Sequence, residues 1–353
     1  MPLPTSPPGP RPANPAVPPD PAQLATWIAA GDRKRRRMRQ VRVMALVAAV
    51  LCGGLLLAAR LDGLAARDTA RSLLVARAVG PHPDVEPRLI GPADAERAVL
   101  FVHGLGGSPG DFADWPERIA AATGARVQVL ELPGHGAGPD AFAGADEHAW
   151  RSAVGAAWDE LQSRHGTLIP IGFSVGAALV LECAADDPPE RVALLAPYLG
   201  DSADGPLPGF VAFTTRVLRP LVPWVDGGPR ARGISDPALP QPPRQRAWPL
   251  RTIRAGQRVA AHASAPARLA RVDCPVLIVH PRRDRIASHA AASRAAGHLE
   301  RATFKTLERG DHLIAFDVAR EEAFAALLAF VTSAAPGAGA NVARPVRDPA
   351  APR

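Results

Sequence analysis

Pro170-Ile171-Gly172-Phe173-Ser174-Val175-Gly176-Ala177-Ala178 reads as an apolar strand that stops at a serine between two glycines and runs on into an alanine-rich helix. A chain with this junction must turn from strand to helix within one or two residues. The serine then sits in a strained conformation that lifts its hydroxyl above a sheet edge, the nucleophile-elbow pattern. Side chains two positions away would collide in so tight a turn, which accounts for Gly172 and Gly176. In a chain with 31 glycines the pentapeptide alone is a weak signal. Its weight depends on whether other strands deliver an acid and a base to the same edge.

The rest of the chain has the rhythm such a junction requires. Apolar runs at Ala98–Val102, Val127–Leu132, Leu168–Phe173, Val192–Ala196 and Val276–Val279, with a weaker one at Thr303–Leu307, alternate with helical stretches. That alternation predicts an α/β domain with a mostly parallel sheet and crossover helices over residues 85–335. Trp150, Val154, Trp158 and Leu161 recur at three- and four-residue spacing, as does the stripe Phe324, Leu327, Leu328 and Val331 near the C-terminal end; both predict core-facing helices. Residues 198–262 interrupt the pattern with ten prolines, no convincing strand and a short stripe of Phe210, Phe213, Val217 and Leu221. An insertion of this length is expected to form a cap over the site.

The N-terminal region is of a different kind. Ten prolines fall in the first 21 residues, a composition that cannot bury enough surface to order itself. Residues 1–42 are expected to be a disordered Pro-rich tail that becomes basic, with seven Arg and Lys between Arg33 and Arg42. Val43–Ala59 follows without a charge. As a helix those residues span about 26 Å, the short end of a transmembrane length, and Arg42 and Arg60 can extend it by snorkelling. The positive-inside bias places the N-terminus in the cytoplasm and everything beyond residue 60 outside, at a bacterial inner membrane or cell envelope. A cleaved signal peptide and a buried soluble helix are the rival readings. Against cleavage stand the 42-residue leader and the lack of a clean small-x-small site. Residues 60–84 are expected to form a membrane-proximal stalk, and residues 336–353 a disordered tail.

The net charge of +7 does not mark a nucleic-acid binder. Residues 1–42 carry +6 of it, so no basic face persists through the folded part. The three cysteines make no disulfide framework and are expected to be small buried apolar residues. No metal-ligand cluster and no cofactor motif is apparent, and oligomeric state is not legible.

A serine hydroxyl needs a neutral imidazole to take its proton and a carboxylate to fix that imidazole's tautomer. Asp284 follows the run Val276–Val279, in the loop at a strand's C-terminal end where open parallel sheets bind ligands. His312 follows the last strand candidate, with Gly310 allowing a sharp turn toward the site. His148, His165, His289 and His298 lie on predicted helices and are expected at the surface. Asp311, beside His312, is expected to order the loop. Stabilisation of an oxyanion needs two backbone N–H groups. Val175, at a helix N-terminus, and Leu105, in His103-Gly104-Leu105-Gly106-Gly107, are the candidates, with His103 orienting that loop through hydrogen bonds.

Ser174, Asp284 and His312 stand in the chain order of α/β-hydrolases. With His103-Gly104-Leu105-Gly106-Gly107, Leu132-Pro133-Gly134-His135-Gly136 and Gly310-Asp311-His312, residues 95–332 resemble that superfamily, in particular its carboxylesterase, monoacylglycerol lipase and lysophospholipase-like branch. The resemblance implies an eight-stranded sheet with helices on both faces and a cap inserted after the strand ending near Ala196. Little chain precedes residue 97 for the first two strands. It also implies a serine hydrolase acting on acyl or lipid esters through an acyl-enzyme. An acyltransferase or thioesterase on the same residues, and a non-catalytic binding module, are the other readings.

Overall fold

The computed structural model describes residues 20–77, 86–200, 221–226, 233–236, 238–239, 244 and 247–333. The Pro-rich segment 1–19, the tail 336–353 and the Phe210, Phe213 and Val217 stripe lie outside them. The chain divides into two compact units, Met1–Leu56 and Leu57–Arg353.

Helix α1, Pro21–Arg77, runs through both units. It starts earlier than composition suggests, because Asp20 caps it: the Ala22 N–H donates to Asp20 Oδ1 at 3.2 Å, and Pro21 occupies a first-turn position where a missing N–H costs nothing. Residues 21–42, expected to belong to a disordered tail, are helical. The first unit is this helix alone among the described residues. Met44, Leu46, Val50, Leu51 and Leu55 are all exposed on it, and Arg33–Thr69 contains a segment long and apolar enough to cross a membrane.

The second unit is built on seven strands in the order β1-β3-β2-β4-β5-β8-β9. They are β1 (Arg88–Ile90), β2 (Arg97–Val102), β3 (Arg126–Leu130), β4 (Thr167–Phe173), β5 (Val192–Leu195), β8 (Val276–Pro281) and β9 (Ala302–Leu307). All neighbours are parallel except β1, which runs antiparallel to β3 for three residues. The expected eighth strand is absent among the described residues; between helix α1 and β2 only eleven residues, 86–96, are described.

Alternation along each strand splits the core in two. Ala98, Leu100 and Val102 of β2 face one apolar cluster, and Val99 and Phe101 face the other. Helices α4 (Glu147–Arg164) and α5 (Val175–Asp186) cover the first face; α2 (Trp115–Thr123) and α9 (Arg320–Thr332) cover the second. Strands covered on both faces lose the polar alternation of exposed sheets, which is why they read as continuous apolar runs. The α4 stripe of Trp150, Val154, Trp158 and Leu161 is buried against the first face.

The region expected to be a cap departs from expectation in two ways. Strands β6 (Trp224–Asp226) and β7 (Ala247–Pro249) pair antiparallel as a separate two-stranded ribbon. Residues 250–262 do not belong to a cap: they form most of α6 (Leu250–Ala263), whose Ala255, Val259 and Ala263 join the core beside α5. Exposed Arg251 and Arg258 stand opposite that face, so the helix is amphipathic in sequence although the prolines before it mask the pattern. Nor do residues 60–67 stand apart as a stalk. Gly63 packs so closely on Trp224 that a Cβ there would lie 2.2 Å from the Trp224 carbonyl oxygen. Ala66 is buried with Trp224, Ala143 and Ala247, and Arg67 pairs with Asp140 at 2.5 Å.

Two further expectations change. His165, at the end of α4, is buried, with Nδ1 2.5 Å from the Ala95 carbonyl oxygen, and His289, on α8 (His289–Ala296), is half-buried beside Thr306. Of the cysteines, Cys274 is buried, and burial pushes its thiol pKa up to about 12; Cys183 is half-buried and Cys52 exposed on α1.

Candidate active site

The topology reverses direction at β2, which lies between β3 and β4. Open parallel sheets form a crevice at the carboxyl ends of the strands at such a point. Val102, the last residue of β2, is paired with Gly172, so the loops after β2 and β4 emerge side by side. Further along, β8 and β9 end together at Pro281 and Leu307, which brings the Asp284 and His312 loops together.

Ser174 lies between β4 and α5 with φ 55° and ψ −119°, a backbone conformation that L residues rarely adopt. Such strain costs about 1–3 kcal/mol and persists only where surroundings over-determine it. Here the Ser174 N–H donates to Leu195 O at 3.0 Å, and its carbonyl accepts from Ala177 and Tyr198 at 3.1 Å. The flanking glycines are sterically required. A Cβ on Gly172 would sit 2.4 Å from Ala177 Cα, and one on Gly176 2.2 Å from Val102 O.

His312 joins the serine to the acid. Its Nε2 is 2.8 Å from Ser174 Oγ and its Nδ1 is 2.7 Å from Asp284 Oδ2. The other Asp284 oxygen accepts from the Ile286 and Ala287 N–H groups at 2.8 Å. Burial opposes the charge on Asp284, but the adjacent His312 and these donors outweigh it and hold the pKa below the usual carboxylate value. A carboxylate on Nδ1 fixes the proton there and leaves the Nε2 lone pair facing the serine hydroxyl. Such a line of groups can move a proton from the hydroxyl to the imidazole.

Asp311 orders the loop, as expected. It accepts from the Arg285 and His312 backbone N–H groups at 3.0 and 2.8 Å and from the Arg285 side chain at 2.5 Å. Gly233, with φ 62°, lies against His312: a Cβ would come within 2.7 Å of His312 Cβ, and the Leu313 N–H donates to its carbonyl at 2.7 Å.

The loop after β2 passes over the serine, with Gly104 so near that a Cβ would lie 2.9 Å from Ser174 Cβ. Two imidazoles lock it to the loop after β3. His103 Nδ1 donates to Gly104 O at 2.9 Å while its Nε2 accepts from the Leu132 N–H at 3.0 Å. Reciprocally, His135 Nε2 accepts from the Gly106 N–H at 3.1 Å, and its Nδ1 lies 3.2 Å from Leu132 O. Burial holds the His103 pKa well below its usual value and that of His135 at about 4, so both rings are neutral and serve as bridges. The N–H groups of Leu105 and Val175 donate to no other backbone group among the described residues.

Residues that sequence reasoning missed are those contributed across the chain. Arg244 donates to Asp111 Oδ1 at 2.8 Å and to Leu105 O at 3.1 Å. Asp317 accepts from the Asp311 N–H at 2.7 Å and the Ser235 N–H at 2.8 Å. Neither had a motif around it; only the fold brings the partners together. No group of three or more His, Cys, Asp or Glu among the described residues could hold a metal.

Residues 99–327 match the model of the alpha/beta hydrolase family. No curated protein matches the chain by sequence. Among solved structures, the fold is similar to that reported for LipS and LipT, two metagenome-derived lipolytic enzymes, with TM-score 0.62 and 23% identity over 70% of this chain and 98% of that one. A monoacylglycerol lipase from Paleococcus ferrophilus gives 0.59 and 21% over 70% and 98%. A soluble variant of the Saccharomyces cerevisiae monoglyceride lipase gives 0.56 and 15% over 69% and 88%. The chain belongs to the alpha/beta hydrolase family and shares its fold with lipases and esterases.

Proposed function

We propose that the protein is a serine hydrolase of carboxylic esters. The observation that carries this reading is the unbroken line Asp284–His312–Ser174, at 2.7 and 2.8 Å, ending on a serine held at positive φ. Ser174 Oγ attacks the ester carbonyl carbon as its proton passes to His312 Nε2. The oxyanion is met by the N–H groups of Leu105 and Val175, the second at the positive end of α5. When the intermediate collapses, the protonated His312 gives its proton to the departing alkoxide and leaves an acyl group on Ser174. Water, deprotonated by His312, then attacks that acyl carbon and releases the acid. Asp284 holds the imidazole in the required tautomer and stabilises the ion formed in each half-reaction.

Acyl or lipid esters are the substrate class we infer. An exposed apolar helix precedes the catalytic unit, and the neighbours of similar fold include lipolytic enzymes and monoacylglycerol lipases. We further propose that α1 anchors the protein, with the basic end Arg33–Arg42 in the cytoplasm and the catalytic unit across the membrane. A reporter fused after residue 77 that is active only in the cytoplasm overturns that orientation.

The central test uses the full chain in detergent. Turnover of p-nitrophenyl esters and labelling by a fluorophosphonate are expected for the wild type. Both are expected to be lost in Ser174→Ala, and turnover to fall by about 10⁴-fold or more in His312→Ala. Undiminished turnover in either variant overturns the assignment. A folded wild type with neither turnover nor labelling favours a binding module.

A further inference from the structure

We propose that Arg244 is a positioning residue for the oxyanion loop, holding the Leu105 N–H in its working direction from the inserted segment. The inference rests on the serine-hydrolase reading and concerns two consecutive peptide groups.

In a trans peptide the N–H and C=O point in opposite directions, so fixing one aims the other. The peptide carrying the Leu105 N–H has its carbonyl on Gly104, and that oxygen accepts from His103 Nδ1 at 2.9 Å and from the Gly107 N–H at 3.1 Å. The next peptide carries the Leu105 carbonyl and the Gly106 N–H. Its N–H is bound to His135 Nε2 at 3.1 Å, and its oxygen accepts from Arg244 at 3.1 Å. The two peptides share Leu105 Cα, so releasing the second lets that Cα shift and carries the first out of its direction. Of these four tethers, three come from the loop itself or the neighbouring β3 loop. Arg244 alone reaches in from the inserted segment, three residues before β7 begins at Ala247.

Arg244 is itself held. Its other nitrogen lies 2.8 Å from Asp111 Oδ1, a carboxylate with a fully buried side chain, while Arg244 is 17% exposed. Asp111 sits directly beneath the loop, where a Cβ on Gly107 would fall 1.9 Å from its Oδ2. Trp248 of β7 packs against Gly106, with a Cβ there 2.6 Å from its ring. The inserted segment thus grips the oxyanion loop by a charged hydrogen bond and by an aromatic face. The hydrogen bonds of Arg244 fall on Asp111 and on the Leu105 carbonyl, so it acts through the loop.

The test must separate aiming of the loop from simple neutralisation of Asp111, since removing one partner of a buried pair destabilises whatever its role. Full-length Arg244→Met, Arg244→Lys, Asp111→Asn and the double Arg244→Met/Asp111→Asn variant are assayed with p-nitrophenyl butyrate, a trifluoromethyl ketone as oxyanion-forming inhibitor, and thermal unfolding. Outright loss of an oxyanion donor costs about 10²–10³ in kcat. For a misaimed donor we expect Arg244→Met to lower kcat about ten- to a hundredfold with KM changed less than threefold, and to weaken the ketone in proportion. Arg244→Lys is expected to fall between it and the wild type. The double variant is expected to regain thermal midpoint without regaining kcat. Recovery of kcat together with stability overturns the proposal, as does a rise in KM alone or a kcat within twofold of wild type in Arg244→Met. A wild type that neither turns over ester nor takes the fluorophosphonate label sinks the hydrolase reading and this one with it; an active wild type with an unaffected Arg244→Met sinks only this one.

Discussion

Asp284 receives a hydrogen bond from His312 and two from backbone N–H groups, and its pKa is depressed in consequence. Asparagine can occupy the same volume but presents an amide to His312, favouring the wrong tautomer. Asp284→Asn is therefore expected to fold and to lose about 10⁴ in kcat, read from p-nitrophenyl ester turnover. His135 makes a prediction of opposite kind, in stability. Burial holds its folded pKa at about 4, below the 6.5 of a free histidine, so below pH 6.5 the unfolded chain binds a proton that the folded one refuses. Stability is then full above pH 6.5 and falls as pH drops toward 4, by on the order of 3 kcal/mol for this residue. His135→Gln removes that dependence, so its thermal midpoint should fall less than that of wild type between pH 7 and pH 5. Ser174, Asp284 and His312 were legible because each follows a strand and the chemistry needs three known side-chain types. Arg244 and Asp317 were not, because a guanidinium or carboxylate bonded to distant backbone leaves no local pattern.

Among the elements, the β4–α5 turn has the least room. Gly176→Ala would place a methyl 2.2 and 2.4 Å from the Val102 and His103 carbonyl oxygens, both belonging to backbone that cannot yield without moving β2. Overpacking of this kind typically costs about 1–3 kcal/mol, and here it also pushes the loop after β2 away from the serine. The variant is expected to lose activity beyond its loss in thermal midpoint, and full activity at an unchanged midpoint would refute the steric argument. The strands of the central sheet were readable as apolar runs because both faces are covered, except for β1, whose three residues carry too short a pattern. The ribbon of β6 and β7 was not readable. Its strands are three residues each, lie 20 residues apart, and one of them ends in Pro249, a residue that sequence logic assigns to turns. Helix α6 escaped for another reason: its alternation of Leu250, Ala255, Val259 and Ala263 with Arg251, Arg254 and Arg258 is amphipathic, but it follows directly on a proline-rich stretch and reads as part of it.

At the scale of the whole molecule, the boundary between units falls at Leu56, not at the prolines near residue 84. The segment Leu57–Arg77 therefore belongs with the hydrolase, and its contacts give a reason. Gly63 lets the helix backbone approach Trp224, Ala66 is buried beside it, and the Arg67 guanidinium lies 5.2 Å over the Trp224 ring while pairing with Asp140. The ion pair is half-exposed and adds little. The apolar contact and the aromatic face supply most of the stabilisation, about 1–2 kcal/mol from partial burial of Leu64, Ala66 and Trp224. For a unit of this size that corresponds to about 2–8 °C in thermal midpoint. A fragment beginning at Leu57 is accordingly expected to unfold at a higher temperature than one beginning at residue 78, and to resist proteolysis at the β6–β7 ribbon, which the shorter fragment leaves uncovered. Because Trp248 of that ribbon lies on Gly106, the shorter fragment should also turn over p-nitrophenyl esters more slowly. Gly63→Leu in the full chain separates loss of the contact from loss of the segment, and should reproduce the same shifts. Equal midpoints and equal turnover in all three forms would mean that Leu57–Arg77 contributes nothing to the stability or turnover of the unit.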